Sequence, residues 1–125
     1  MNVKCLIIDD EPLVRRSLLR VSEKKGHTVL CANDGVEGLT AWKESLPDLV
    51  FLDVLMPGLT GPEVLKEMLG QDHAKVILMS AYSGEYDLKT AQSMGADLFI
   101  PKPFDNIFDV IEIAEELMSG GQEES

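Results

Sequence analysis

The chain has 125 residues, 45% hydrophobic and 26% charged, which suits one globular domain and argues against a disordered or fibrous chain. A count of 22 Asp and Glu against 11 Lys and Arg leaves a formal charge of -11, so direct nucleic-acid binding by this domain is not expected. No apolar run approaches the roughly 20 residues that span a bilayer, and the start, MNVKCLIIDDE, ends its short apolar stretch in acids, which speaks against a membrane anchor or signal peptide.

Val3 to Ile8 is the first of five short apolar runs. After it, Val14, Leu18 and Val21 repeat at i, i+4, i+7, with Pro12 where a first helical turn tolerates a missing N–H and Gly26 where the helix should stop. Thr28 to Cys31 is the second run, followed by Val36, Leu39 and Trp42 at i, i+3, i+6. Leu49 to Leu52 is the third; Pro62 opens the next helix and Gly70 falls near its end. Val76 to Met79 is the fourth, with Gly95 closing the helix beyond it, and Leu98 to Ile100 is the fifth. Ile107, Ile111, Ala114 and Met118 then form a helical stripe, beside a second apolar line of Val110, Ile113 and Leu117 that suits core packing or a partner or dimer face. The small, polar stretch 119–125 reads as a flexible tail or the start of a linker, leaving 1–118 as one domain.

Uninterrupted apolar runs without alternation suit strands covered on both faces. Strands alternating with helices at this spacing predict an α/β fold: a doubly wound (βα)5 parallel sheet, flavodoxin-like, in the order 2-1-3-4-5. Cys5 and Cys31 lack C-x-x-C spacing and fall in strand-like runs, so both read as buried thiols of a reducing, cytoplasmic compartment. His27 and His73 lie in loops without ligand-like neighbours and read as surface residues.

Parallel sheets present ligands at the carboxyl ends of their strands, near the place where strand order reverses. Strand 1 is followed by Asp9, Asp10 and Glu11, strand 3 by Asp53, strand 4 by Ser80, and strand 5 by Lys102 after Pro101. Each has an ordinary reading alone: a helix cap, a loop acid or a solvated charge. In the order 2-1-3-4-5 they converge on one edge. Carboxylates that close repel by about 3 kcal/mol per pair at 5 Å, so positive charge must sit among them. Lys102 supplies one, and a hard cation such as magnesium suits the rest, because it accepts carboxylates and takes up phosphate oxygens. A carboxylate can also attack phosphorus to form an acyl phosphate, a reaction that asks mainly for positioning and charge neutralisation.

The residues Leu6-Ile7-Ile8-Asp9-Asp10-Glu11, Leu52-Asp53-Val54-Leu55-Met56-Pro57-Gly58 and Pro101-Lys102-Pro103-Phe104 resemble the receiver domain of two-component response regulators, and the resemblance covers essentially the whole chain. It implies that Asp53 takes a phosphoryl group from a phosphohistidine on a sensor histidine kinase or phosphotransfer protein, with Mg2+ required. Carried over by position, it implies that Asp9, Asp10, Asp53 and the backbone carbonyl of Leu55 hold the metal, and that Lys102 and Ser80 contact the phosphate. It further implies a Lys102-Pro103 peptide that is often cis. Ser80 and the aromatic position Phe99 would act as a switch that remodels the surface of helix 4, strand 5 and helix 5. Leu55 and Tyr82 stand where fast-dephosphorylating relatives place polar groups, which implies a long-lived phosphoaspartate. An output domain or homodimer is a further implication.

Two competing readings remain at this point. A phosphohydrolase with an aspartyl nucleophile would carry D-x-D after strand 1, whereas here the acids are adjacent and the nucleophile follows strand 3. A degenerate receiver acting only as a binding module would have lost the acceptor, acid pair or lysine, all of which are present. A flavin module is excluded, because Asp9, Asp10 and Glu11 would repel the flavin phosphate.

Overall fold

The computed structural model describes residues 2–71, 73–81 and 86–120. Five strands, β1 (Lys4–Ile8), β2 (Thr28–Ala32), β3 (Leu49–Asp53), β4 (Lys75–Ser80) and β5 (Leu98–Pro101), alternate with α1 (Pro12–Lys24), α2 (Gly35–Ser45), α3 (Gly61–Met68), α4 (Leu88–Ser93) and α5 (Ile107–Ser119). They pair in parallel in the order β2-β1-β3-β4-β5, as the sequence predicts. No helix among the described residues is long and apolar enough to cross a membrane.

The three inner strands bury nearly every side chain because helices cover both faces. Leu6, Ile8, Val50, Leu52 and Leu78 pack toward α2 and α3, while Cys5, Ile7, Phe51, Ile77 and Met79 pack toward α1 and α5. β2 departs from this pattern, since Thr28, Leu30 and Cys31 are exposed. It is an edge strand, with β1 as its single neighbour, so one side of it stays open. Cys31 is therefore not the buried thiol expected, whereas Cys5 is, and burial pushes the Cys5 thiol up to about 12 with help from the charges of Asp48 and Glu115.

The helix lines hold with two exceptions. Leu18, Val21 and Trp42 reach the core, but Val36 is exposed at the first turn of α2. On α5 the second apolar line divides: Val110 is buried, Leu117 packs against the core, and Ile113 is exposed. Pro12 and Pro62 open α1 and α3, and Gly26, Gly70 and Gly95 follow helices with positive φ, where glycine avoids the Cβ penalty. α5 runs through Ser119 to a left-handed cap at Gly120; residues 121–125 of the expected tail lie outside the described residues.

Gly61 bears directly on the site. A Cβ there would collide with the Asp53 carbonyl oxygen, so only glycine lets α3 begin this close behind the end of β3. Thr60 and Glu63 close the helix start with a reciprocal capping box.

Candidate functional site

Register brings the ends of four strands together. Ile8 pairs with Leu52, Asp53 with Met79 and Ser80 with Pro101, so the residues at or just past these positions share one edge. Asp9 is fully buried; its Oδ1 accepts the Glu11 N–H at 2.9 Å and its carbonyl oxygen accepts the Arg15 guanidinium at 2.7 Å. Asp10 beside it is exposed, and Asp53 is 4% exposed. One carboxylate oxygen from each of Asp9, Asp10 and Asp53 lies within 4.8 Å of the others.

Ser80 is buried at the end of β4, and its carbonyl accepts the Lys102 N–H at 2.8 Å, which fixes the backbone where the lysine departs. The Lys102 ammonium lies 2.6 Å from Glu11 Oε1, 3.0 Å from Asp9 Oδ2 and 3.2 Å from Asp53 Oδ1, with its side chain only 6% exposed. The solvated-charge reading of Lys102 therefore fails. The helix-cap reading of Glu11 fails too: it occupies the N-cap position of α1 without a side-chain cap bond. A cavity of about 250 Å³ opens over the cluster, lined in part by Asp10, Asp53, Leu55, Ser80 and Lys102. Leu55 is half exposed at its mouth.

The electrostatics show a pocket with more negative charge than Lys102 balances. Burial, then the charges of Asp9 and Asp10, push the Asp53 carboxyl up to about 7 against the opposing pull of Lys102. Burial likewise raises Asp9, with the Glu11 N–H and Lys102 working the other way. For Lys102, burial disfavours the charge, but the Glu11 hydrogen bond and the charges of Asp9 and Asp53 outweigh it and hold the ammonium above the ordinary lysine range. Hard oxygen donors with uncompensated charge, buried at Asp9 and Asp53, fit a divalent cation, and Asp9, Asp10 and Asp53 are the residues that could hold one.

Phe99 is not in this pocket. It pairs with Leu78 in the sheet and packs half-buried against the core beneath α2, α3 and α4. The Lys102-Pro103 peptide is cis. Tyr82 lies outside the described residues.

The sequence reading left out the roles of three residues. Glu11 and Arg15 reach into the Asp9 neighbourhood from the start of α1, and their only sequence signal is closeness to the acid pair. His27, expected on the surface, is buried: Nδ1 accepts the Val3 N–H at 3.1 Å, and Nε2 lies 2.6 Å from Glu115 Oε2. Acceptance at Nδ1 puts the proton on Nε2, donated to Glu115. This pair ties α5 to the amino end of the sheet, opposite the acidic pocket. His73 is exposed, as expected.

A parallel sheet in this order, with three acids and a buried lysine at its carboxyl edge, defines a receiver domain, a signalling module rather than an enzyme in the ordinary sense. Residues 5–112 match the response regulator receiver domain, and the chain belongs to that family. It is 39% identical over 107 residues to sporulation initiation phosphotransferase F of Bacillus subtilis, covering 84% of this chain and 86% of that protein. It is 37% identical over 105 residues to the response regulator MprA of Mycobacterium tuberculosis, covering 83% of this chain but 46% of MprA. The chain thus spans about half the length of several of the curated relatives it matches. The response regulator protein TrrA of Thermotoga maritima, solved in complex with Mg(2+)-BeF, superposes with a TM-score of 0.79 at 32% identity, over 93% of this chain and 98% of that one.

Proposed function

We propose that Asp53 accepts a phosphoryl group from a phosphohistidine of a sensor histidine kinase or phosphotransfer protein. The observation that carries this reading is the Asp53 Oδ1 to Lys102 Nζ contact of 3.2 Å inside a buried acidic pocket. An Asp53 oxygen attacks phosphorus and the new P–O bond forms as the P–N bond breaks. The departing imidazole nitrogen keeps the electron pair and takes a proton from solvent. Lys102 meets one phosphoryl oxygen with its ammonium and Ser80 meets another with its hydroxyl, which puts a donor at each oxygen where charge develops.

Asp9, Asp10 and Asp53, with the Leu55 carbonyl, would hold Mg2+, whose charge would neutralise the phosphoryl oxygens that one lysine cannot. The Mg(2+)-BeF bound to TrrA and the name of the Bacillus phosphotransferase support this assignment. Ser80 and Phe99 act as the switch in this scheme: Ser80 moves to the phosphoryl group and the ring, half-buried against the core, turns inward and alters the α4, β5 and α5 surface. That surface would serve an output domain joined through 119–125 or a second copy of the domain, in a cytoplasmic protein. Leu55, half exposed and without a polar group, gives attacking water nothing to align it, so hydrolysis is slow.

The acyl nature of the linkage is the test. The domain phosphorylated with acetyl phosphate and Mg2+ should lose its label to hydroxylamine, and Asp53→Asn should take up none. A hydroxylamine-stable label, or one that persists in Asp53→Asn, would place the phosphoryl group elsewhere.

A further inference from the structure

Glu11 touches the Lys102 ammonium, yet phosphoryl acceptance gives it no task. Its Oε1 makes the shortest of the three Lys102 contacts, at 2.6 Å. An ammonium carries three N–H donors, and of the three carboxylates around this one Glu11 and Asp9 accept hydrogen bonds while Asp53 stands as an ion pair at 3.2 Å, so two donors are held away from a phosphoryl oxygen arriving at Asp53. Two of those acceptors are fixed. Asp9 is fully buried and also accepts the Glu11 N–H, and Asp53 is the acceptor itself, 4% exposed. The Glu11 side chain is 58% exposed, so its carboxylate returns to water at little cost.

We propose that Glu11 is a positioning residue: it holds Lys102 in the resting domain and gives up that ammonium to the incoming phosphoryl oxygens. Its hold thereby sets how readily Asp53 is phosphorylated, and the proposal rests on Asp53 as the acceptor. Glu11 acts in two ways, by occupying a donor that the phosphoryl group can use and by placing a negative charge beside it. The two can be separated. Glu11→Asp keeps the charge but is one methylene, about 1.5 Å, too short to keep the contact. Glu11→Gln removes the charge. Neither substitution touches the core, since the side chain lies mostly in water.

The experiment follows phosphoryl gain by intact mass at limiting acetyl phosphate and saturating Mg2+ for the wild-type chain, Glu11→Gln and Glu11→Asp. Beryllofluoride affinity, measured by calorimetry, reports binding in the pocket independently of the transfer step. Both variants should gain phosphoryl roughly two- to fivefold faster than wild type and bind beryllofluoride more tightly by a similar factor, the range an exposed ion pair provides. Rates and affinities equal to or below wild type in both variants would overturn the proposal. A gain in Glu11→Gln alone would also overturn it, because the effect would then be one of charge without contact. If the wild-type chain gains no phosphoryl group at all, Asp53 as acceptor fails and the role of Glu11 falls with it.

Discussion

Lys102 Nζ reaches to 3.2 Å from Asp53 Oδ1 although β4 runs between the strands that carry them. The length of the lysine side chain is what spans that width, and the side chain is only 6% exposed with its ammonium among carboxylates. The lysine thus serves the fold and the chemistry at once.

Loss of that ammonium should therefore have a pH-dependent cost. Lys102→Met leaves Asp9 and Asp53 buried with no cation beside them, a change expected to destabilise the domain by about 3–5 kcal/mol at pH 8. At pH 5, below the value of about 7 for Asp53, that carboxyl can take a proton, so the loss should shrink. Urea denaturation of both proteins at the two pH values checks this. Phosphoryl gain should also slow by roughly a hundredfold, the scale for removing one preorganised donor.

Asp53 itself burdens the fold at neutral pH. Its folded value of about 7 lies above the roughly 3.9 of an unfolded aspartate, so the native state holds an extra proton between those values. Stability is then greatest below about pH 4 for this group and declines as pH rises toward 7. In the absence of divalent cations, wild type should lose about 1–3 kcal/mol relative to Asp53→Asn between pH 5 and pH 8, and added Mg2+ should restore it. Parallel stability profiles for the two proteins, by thermal or urea melts, would contradict the raised value.

His27 is a structural residue at the far end of the sheet. His27→Leu strands the Val3 N–H and removes the Glu115 partner, with an expected cost of about 1–3 kcal/mol. Phosphoryl gain at Asp53 should be unchanged in the folded variant. A stability equal to wild type in urea would show that the hydrogen-bonded pair contributes nothing.

The strand order and the convergence of Asp9, Asp10, Asp53, Ser80 and Lys102 were legible because parallel sheets obey strong rules: apolar runs, right-handed crossovers and a shared carboxyl edge. Side-chain direction was not. Glu11 precedes Pro12 in what reads as a helix start, and nothing in that spacing tells a cap from a ligand of Lys102. Cys31 and Leu30 look like core residues because an edge strand has the same composition as an inner one; its exposure follows from its place in the strand order. His27 follows a helix-stopping glycine, so it reads as loop, and its burial depends on Val3 and Glu115, 24 and 88 residues away.

The most direct test of Asp53 as phosphoacceptor is intact mass after incubation with acetyl phosphate, with and without Mg2+, for wild type and Asp53→Asn. One added phosphoryl group that requires both Mg2+ and Asp53 is the expected result. No gain by the folded wild-type domain would contradict it and leave a phosphorylation-independent binding module as the better account.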